Sequence, residues 1–439
     1  MTNKTKIIIG SLIGVILILA AILFTQKGKV DEKLSNEVAE KLKDISKDLD
    51  FDLNFEKVNV NSTGPYVELL DVKIKDNAEE ISFDKLKIGT SFDEILKIFN
   101  EKELTNIESM YLEMENMVVN NSKMGLKHTL FSDAKFEYSG SIDQKSFERM
   151  KERMVIPDSD QKISINISDF SLPTEIWDEF YREMDLGVDD FYANASMNQD
   201  PADINFEMEL LADEKIIKII TDSENNGQFT GSSEFEMEMS FEGDKFDEIE
   251  PKSMEIDGNF DVDMKGFTTE IEQGLDIEMN DVTGSISGSF DIDENMSEEE
   301  IIREMSGGIK FKVDDLSIIL PYQAMAGMPP GLLENNKLEI NKMSFNMDLK
   351  DGDFFGDFDY DSSIGKIKSN FDFGINMRNP DNSYINNFEV FISNLPDELE
   401  ELIGIYEMGA GDLPRKGNSI YLNIYGSLDN PKIEGVDLY

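Results

Sequence analysis

From Leu49 onward the chain is written in twos. The stretch SEFEMEMSFEG, residues 233–243, places Phe or Met at every second position with Glu or Ser between them. Side chains alternate sides along a strand, so this spelling gives a ribbon with one apolar and one polar face. The same period returns in LDFDLNF (49–55), KISINIS (162–168), INFEMEL (204–210), NFDVDM (259–264), IKFKV (309–313), MSFNMDL (343–349), FDFGINM (371–377) and SIYLNIYGSL (419–428). Turns such as ENNGQ and KDGD separate the runs, which favours antiparallel pairing of sequence neighbours. The expected fold is mainly β: a long antiparallel meander or curled sheet with an apolar inner face and a few short helices, preceded by one N-terminal transmembrane helix.

An apolar face repeated over so many strands cannot stay in water. It packs on a second sheet, closes into a barrel, lies under helices, or holds an apolar ligand. The helices expected from the sequence are short: 91–99, 146–154, 174–184 with Trp177, 297–305 with its Ser297–Glu300 capping box, and 396–408 with Pro396 in its first turn. They are few for the number of strands. The candidate groove residues are Phe206, Met208, Phe235, Met237, Met239, Phe241, Phe260, Val262, Met264, Met343, Phe345 and Met347. Methionine, with 23 copies in the chain, adapts to varied apolar partners and is also ordinary core filler.

The N-terminus carries an uncharged run, Ile7 to Phe24, with Leu12, Ile16 and Leu19 inside it. As a helix it is ~27 Å long at ~1.5 Å per residue, close to a thin bilayer core. The expected layout is a short tail (1–6), a transmembrane anchor (7–24), an amphipathic helix or linker (25–48), a β-rich extracytoplasmic region (49–326) and a C-terminal β-rich continuation (327–439). The soft boundary is GMPPGLL, and the expected location is the inner (cytoplasmic) membrane, single-pass, with the body in the periplasm or extracytoplasmic space. In the 25–48 segment Leu34, Val38, Leu42 and Ile45 fall on one helical stripe that continues to Leu49. Capping of the first β layer is favoured there over binding to a membrane or partner.

Charge and chemistry narrow the function. The formal net charge of −50, from 91 acids and 41 bases, argues against nucleic acid, because phosphate binding needs a basic stripe. The absence of cysteine excludes disulfides, thiolate metal sites and cysteine nucleophiles. A single histidine, His128, leaves little for catalysis or metal binding. DFDYD (357–361) has the aspartate spacing that opens a calcium loop, but Ser362 and Lys368 stand where that loop needs Gly and Glu. DIDENMSEEEII (291–302) fails the same test with Met296 and Ile302. No phosphate-binding loop, nucleophile elbow or zinc-protease motif occurs. The expectation is a protein that is not an enzyme and that uses no cofactor and no metal.

The anchor followed by LDFDLNFEKVNVNSTGPYVELLDVKIKD and ISFDKLKIGTSFDEILKIFNEKELTNIESMYLEMENMVV resembles the AsmA-like envelope proteins, as does the tail NIYGSLDNPKIE (423–434). The likeness covers about the first 120 residues and the last 20; YdgA-like anchored periplasmic proteins share the layout. The resemblance implies an inner-membrane anchor, a curled sheet with an apolar groove, and a role in lipid transport or homeostasis, with acyl chains as ligand. The alternative is a structural or interaction protein of the envelope with a dry β-sandwich core.

Overall fold

The computed structural model describes residues 31–48, 52–61, 66–76, 79–90, 107–121, 126–142, 155–171, 201–226, 230–245, 248–271, 275–292, 304–321, 328–374, 383–428 and 430–434, with isolated positions 296, 300 and 325. The Ile7–Phe24 run, the expected helices at 91–99, 146–154 and 174–184, and most of 297–305 lie outside them. Among the described residues no helix is long and apolar enough to cross a membrane. The chain is mainly β and antiparallel, and divides into two units. The first is Met1–Leu186, Gln199–Gly227 and Glu238–Pro251; the second is Gly187–Asn198, Gln228–Met237 and Lys252–Tyr439.

The first unit opens with helix α1 (Asp31–Asp48). Its run of Lys, Glu, Leu and Ala without Gly or Pro suits a helix. Strands β1 (Asp52–Asn54) and β2 (Lys57–Asn61) follow, then β3 (Tyr66–Asp76), β4 (Glu79–Thr90), β5 (Ile107–Asn121), β6 (Leu126–Ile142), β7 (Gln161–Phe170), β8 (Ala202–Leu211) and β9 (Ile216–Asn226). From β3 to β9 each strand pairs with the next. β1 and β2 share the other edge of β3. Val38 and Leu42, one helical turn apart, are fully buried in one cluster with Leu53, Val58, Val67, Leu69, Val72 and Ile81. Burying each such side chain stabilises the fold by about 1.5–3 kcal/mol. Val60 N–H donates to Ser35 Oγ at 3.0 Å and ties the helix to β2.

The second unit holds the first part of β10 (Thr230–Glu242), the division falling between Met237 and Glu238. Then come β11 (Glu250–Ile271), β12 (Leu275–Asp291), β13 (Ser306–Ile319), β14 (Lys337–Lys350), β15 (Asp353–Ser362), β16 (Gly365–Gly374) and β17 (Tyr384–Ser393). Helix α2 (Asp397–Ala410) precedes β18 (Arg415–Lys416), β19 (Ser419–Ser427) and β20 (Asn430–Ile433). Pro396 is the cap of α2 in extended conformation, one residue outside the first turn where the sequence reading put it. From β11 to β17 sequence neighbours pair. β19 pairs with β17 on one edge and with both β18 and β20 on the other. Asp351 and Gly352, both at positive φ, make the tight hairpin between β14 and β15.

Long strands here do not keep one parity. In β3 the buried residues are Val67 and Leu69, then Val72 and Ile74; Asp71 lies between them at φ 50°. In β5 they are Met114, then Met117 and Val119, with Asn116 at φ 52° between. Asp169 in β7 and Asp315 in β13 take the same left-handed conformation. Short polar Asp and Asn tolerate it better than other residues. Each resets the alternation of its strand, so the apolar side chains stay on one side. At Asp71, Asn116 and Asp315 the ladder runs through without a shift to the strand before or after, as β4 shows by changing parity with β3, from Ile81 and Phe83 to Leu86 and Ile88. At Asp169 the pairing with β8 slips by one residue, as in a bulge.

Candidate functional site

Residues directly opposite across a ladder share a face, so the register can be read as rows crossing the second unit. One row is Phe260, Gly284, Phe311, Phe345, Phe358, Ser369, Val390 and Leu422. The row on one side is Val262, Val282, Val313, Met343, Tyr360, Ile367, Ile392 and Ile420. On its other side run Gly258, Ile286, Ile309, Met347, Gly356, Phe371, Phe388 and Ile424. These rows cross eight strands, ~34 Å at ~4.8 Å per strand, and hold no charged residue. Phe345 and Phe371 stack at 6.0 Å, and Phe371 and Phe373 at 5.2 Å.

Much of this face is uncovered. Phe260, Ile286 and Ile309 are 37%, 47% and 42% exposed. Met343, Phe345, Met347, Phe358 and Phe388 are half-buried, whereas Val313, Phe371 and Ile420 are buried. The hydrophobic clusters found among the described residues lie in the first unit.

The opposite face carries the charge. Asp261, Thr283, Lys312, Ser344, Asp359 and Lys368 form one of its rows. Asp359 takes Lys342 at 3.3 Å and Lys368 at 3.5 Å. The hydrogen bond from Lys366 holds the Asp361 carboxyl below its ordinary range. Asp357 accepts from Asn346 at 3.0 Å. The aspartates of DFDYD thus follow the strand period and meet neighbours across the ladder. Among the described residues no group of three or more His, Asp or Glu is placed to hold a metal ion. Near β19, Tyr421 O–H donates to Glu389 at 2.6 Å, and this bond pushes the phenol up to about 12. Lys416 lies 4.0 Å from the Tyr421 ring. His128 Nε2 lies 2.8 Å from Ser171 Oγ.

The residues picked from the sequence fall in two places. Phe206, Met208, Met239 and Phe241 belong to the first unit; Phe235, Met237, Phe260, Val262, Met343, Phe345 and Met347 belong to the second. The Met264 side chain is outside what the structure describes. Phe241, 3% exposed, packs with Ile156 and Leu210 in a closed cluster. Phe206 and Met208 are half-buried beside Ile165 and Ile163. Sequence reasoning passed over Gly284, Ile286, Ile309 and Phe371. The signal was present: in GSISGSF (284–290) Gly284, Ile286, Gly288 and Phe290 alternate with serine and put glycine on the apolar side. No family model matches the chain, and no curated protein or solved structure matches it either.

Proposed function

We propose that the chain is a membrane-anchored, extracytoplasmic protein whose second unit binds lipid acyl chains on its uncharged face, supporting envelope lipid transport or homeostasis. One observation carries the reading: three adjacent rows across eight strands hold no charge, while large side chains among them stand 37–47% exposed. Water-exposed apolar surface of that extent marks a binding surface. The absence of charge favours an acyl chain over a charged peptide, since each methylene buried yields about 0.8 kcal/mol and no buried ion needs a partner. The Ile7–Phe24 run supports the anchor, and the AsmA-like resemblance of the two ends supports the lipid class.

The test is lipid retention. The chain extracted from membranes should carry lipid in native mass spectrometry. Met237→Glu should lose it while staying folded, and Glu236→Gln and Glu238→Gln should keep it. A wild-type chain free of lipid, together with an unfolded Met237→Glu variant, would sink the proposal. It would leave the interaction reading, for which α2 offers exposed Leu402, Ile405, Tyr406 and Met408.

A further inference from the structure

Two glycines on the apolar face have an aromatic ring lying over them. A Cβ placed on Gly284 would stand 2.4 Å from Cε1 and Cζ of Phe260, its partner on the next strand. One on Gly356 would stand 2.6 Å from Cζ of Phe371 and 2.0 Å from the Asn346 carbonyl. In both pairs the ring reaches along its own row and fills the gap the glycine leaves. Rows on one face are two residues apart, ~7 Å, so a shallow furrow runs between them across the strands. A slender unbranched chain suits that furrow. A methyl on Gly284 evicts the Phe260 ring from its row. The ring is 37% exposed, so it can swing to another staggered position, off the sheet or into the furrow. Gly288, on the same strand and face, is different: its Cβ would meet only the Ser306 carbonyl, at 3.7 Å.

We infer that Gly284 is a specificity-determining position of the apolar face: by letting Phe260 lie flat it keeps the furrow continuous from β11 into β13, and so sets the length of straight acyl chain that the face holds. This rests on the acyl-chain reading above and adds a direction, across the strands, and a residue that limits length.

The experiment uses the full chain in lipid nanodiscs with octanoyl and palmitoyl probes that each carry a terminal photoactivatable diazirine. Label on peptides of β11 to β14 is measured by mass spectrometry. In the wild type the palmitoyl probe should label all four strands. Gly284→Ala should cut palmitoyl label on β11 and β12 by at least about fourfold, the worth of one buried methylene, and leave octanoyl label unchanged. Adding Phe260→Leu to that variant should restore the label, and Gly288→Ala should match the wild type. Ile286→Phe is a second variant that spares the fold, since Ile286 is nearly half exposed; its added ring should shorten the labelled path in the same way. Equal palmitoyl label in wild type, Gly284→Ala and Ile286→Phe would overturn the inference while leaving acyl binding intact. Absence of label from this face in the wild type would instead remove the acyl-chain reading and the inference with it.

Discussion

The two units spell their apolar faces alike and treat them differently. In the first, Leu69 and Ile81 are 0% and 1% exposed because α1 lays Val38 and Leu42 into the same cluster. In the second, Ile286 and Ile309 sit second and third in an equally apolar row and remain nearly half in contact with water. Alternation therefore specifies that a face is apolar, while a separate element decides whether it becomes a core. Eighteen residues of amphipathic helix make that difference here. Within the first unit the change is gradual: Ile88 on β4 is buried, and its row continues through Leu112, Phe136, Ile165 and Phe206, which are half-buried.

The contrast can be broken by substitutions of one kind made in both places. Leu69→Glu should unfold the first unit, since an unpaired carboxylate in a dry site costs several kcal/mol. Ile309→Glu should leave the second unit folded, with a change within about 0.5 kcal/mol as for other surface changes. Hydrogen exchange on peptides of β3–β5 and of β12–β14 reads the two locally. Equal unfolding in both would mean that the second face is covered. A smaller step is truncation. Leu42→Ala should cost about 2–5 kcal/mol and Ile286→Ala under about 1, both measured by urea unfolding.

Smaller still are the outer-face effects, which should look alike in the two units. The phenol of Tyr421, raised by its bond to Glu389, adds stability that is present below its ordinary value of 10.0 and is lost as pH rises through about 12. Tyrosinate absorbance should show one late-ionising group that Tyr421→Phe removes. Asp361 runs the other way. Its lowered carboxyl adds stability present above the ordinary range and lost as pH falls through the depressed value. Asp361→Asn should flatten the acid limb of the second unit's melting curve. Lys342→Ala, which breaks an exposed pair to Asp359, should cost only about 0–1 kcal/mol.

How much of this was legible follows from the same physics. Period two is a local property, so the strands and their faces could be read directly, and Val38 and Leu42 could be placed on the buried side of a helix. Ladder register is not local. It depends on turn lengths, while the alternation along a strand depends on left-handed residues inside it, which the sequence reading did not count at Asp71, Asn116, Asp169 and Asp315. Their mark is visible once sought, because apolar parity changes sides at each of them, as in VELLDVKIK and FKVDDLSII. The candidate site suffered from this. Phe and Met were chosen by size and composition, which mixed Phe241, a packed residue, with Phe260, an open one. Glycine was overlooked because its contribution is room made for a neighbour's ring.

One consequence concerns growth. The outer edge of β3 is closed by two short strands, β1 and β2, and the outer edge of β19 by two more, β18 and β20. The second pair carries Arg415, Lys416, Pro431 and Lys432, residues that discourage a further strand from joining. From β3 to β9 in the first unit, and from β11 to β17 in the second, each strand pairs with the next in sequence, so a hairpin gained or lost inside either run leaves that unit's border as it was. Length is thus a variable that duplication can adjust in steps of two strands, in the way a zip is made longer without redesigning its stops.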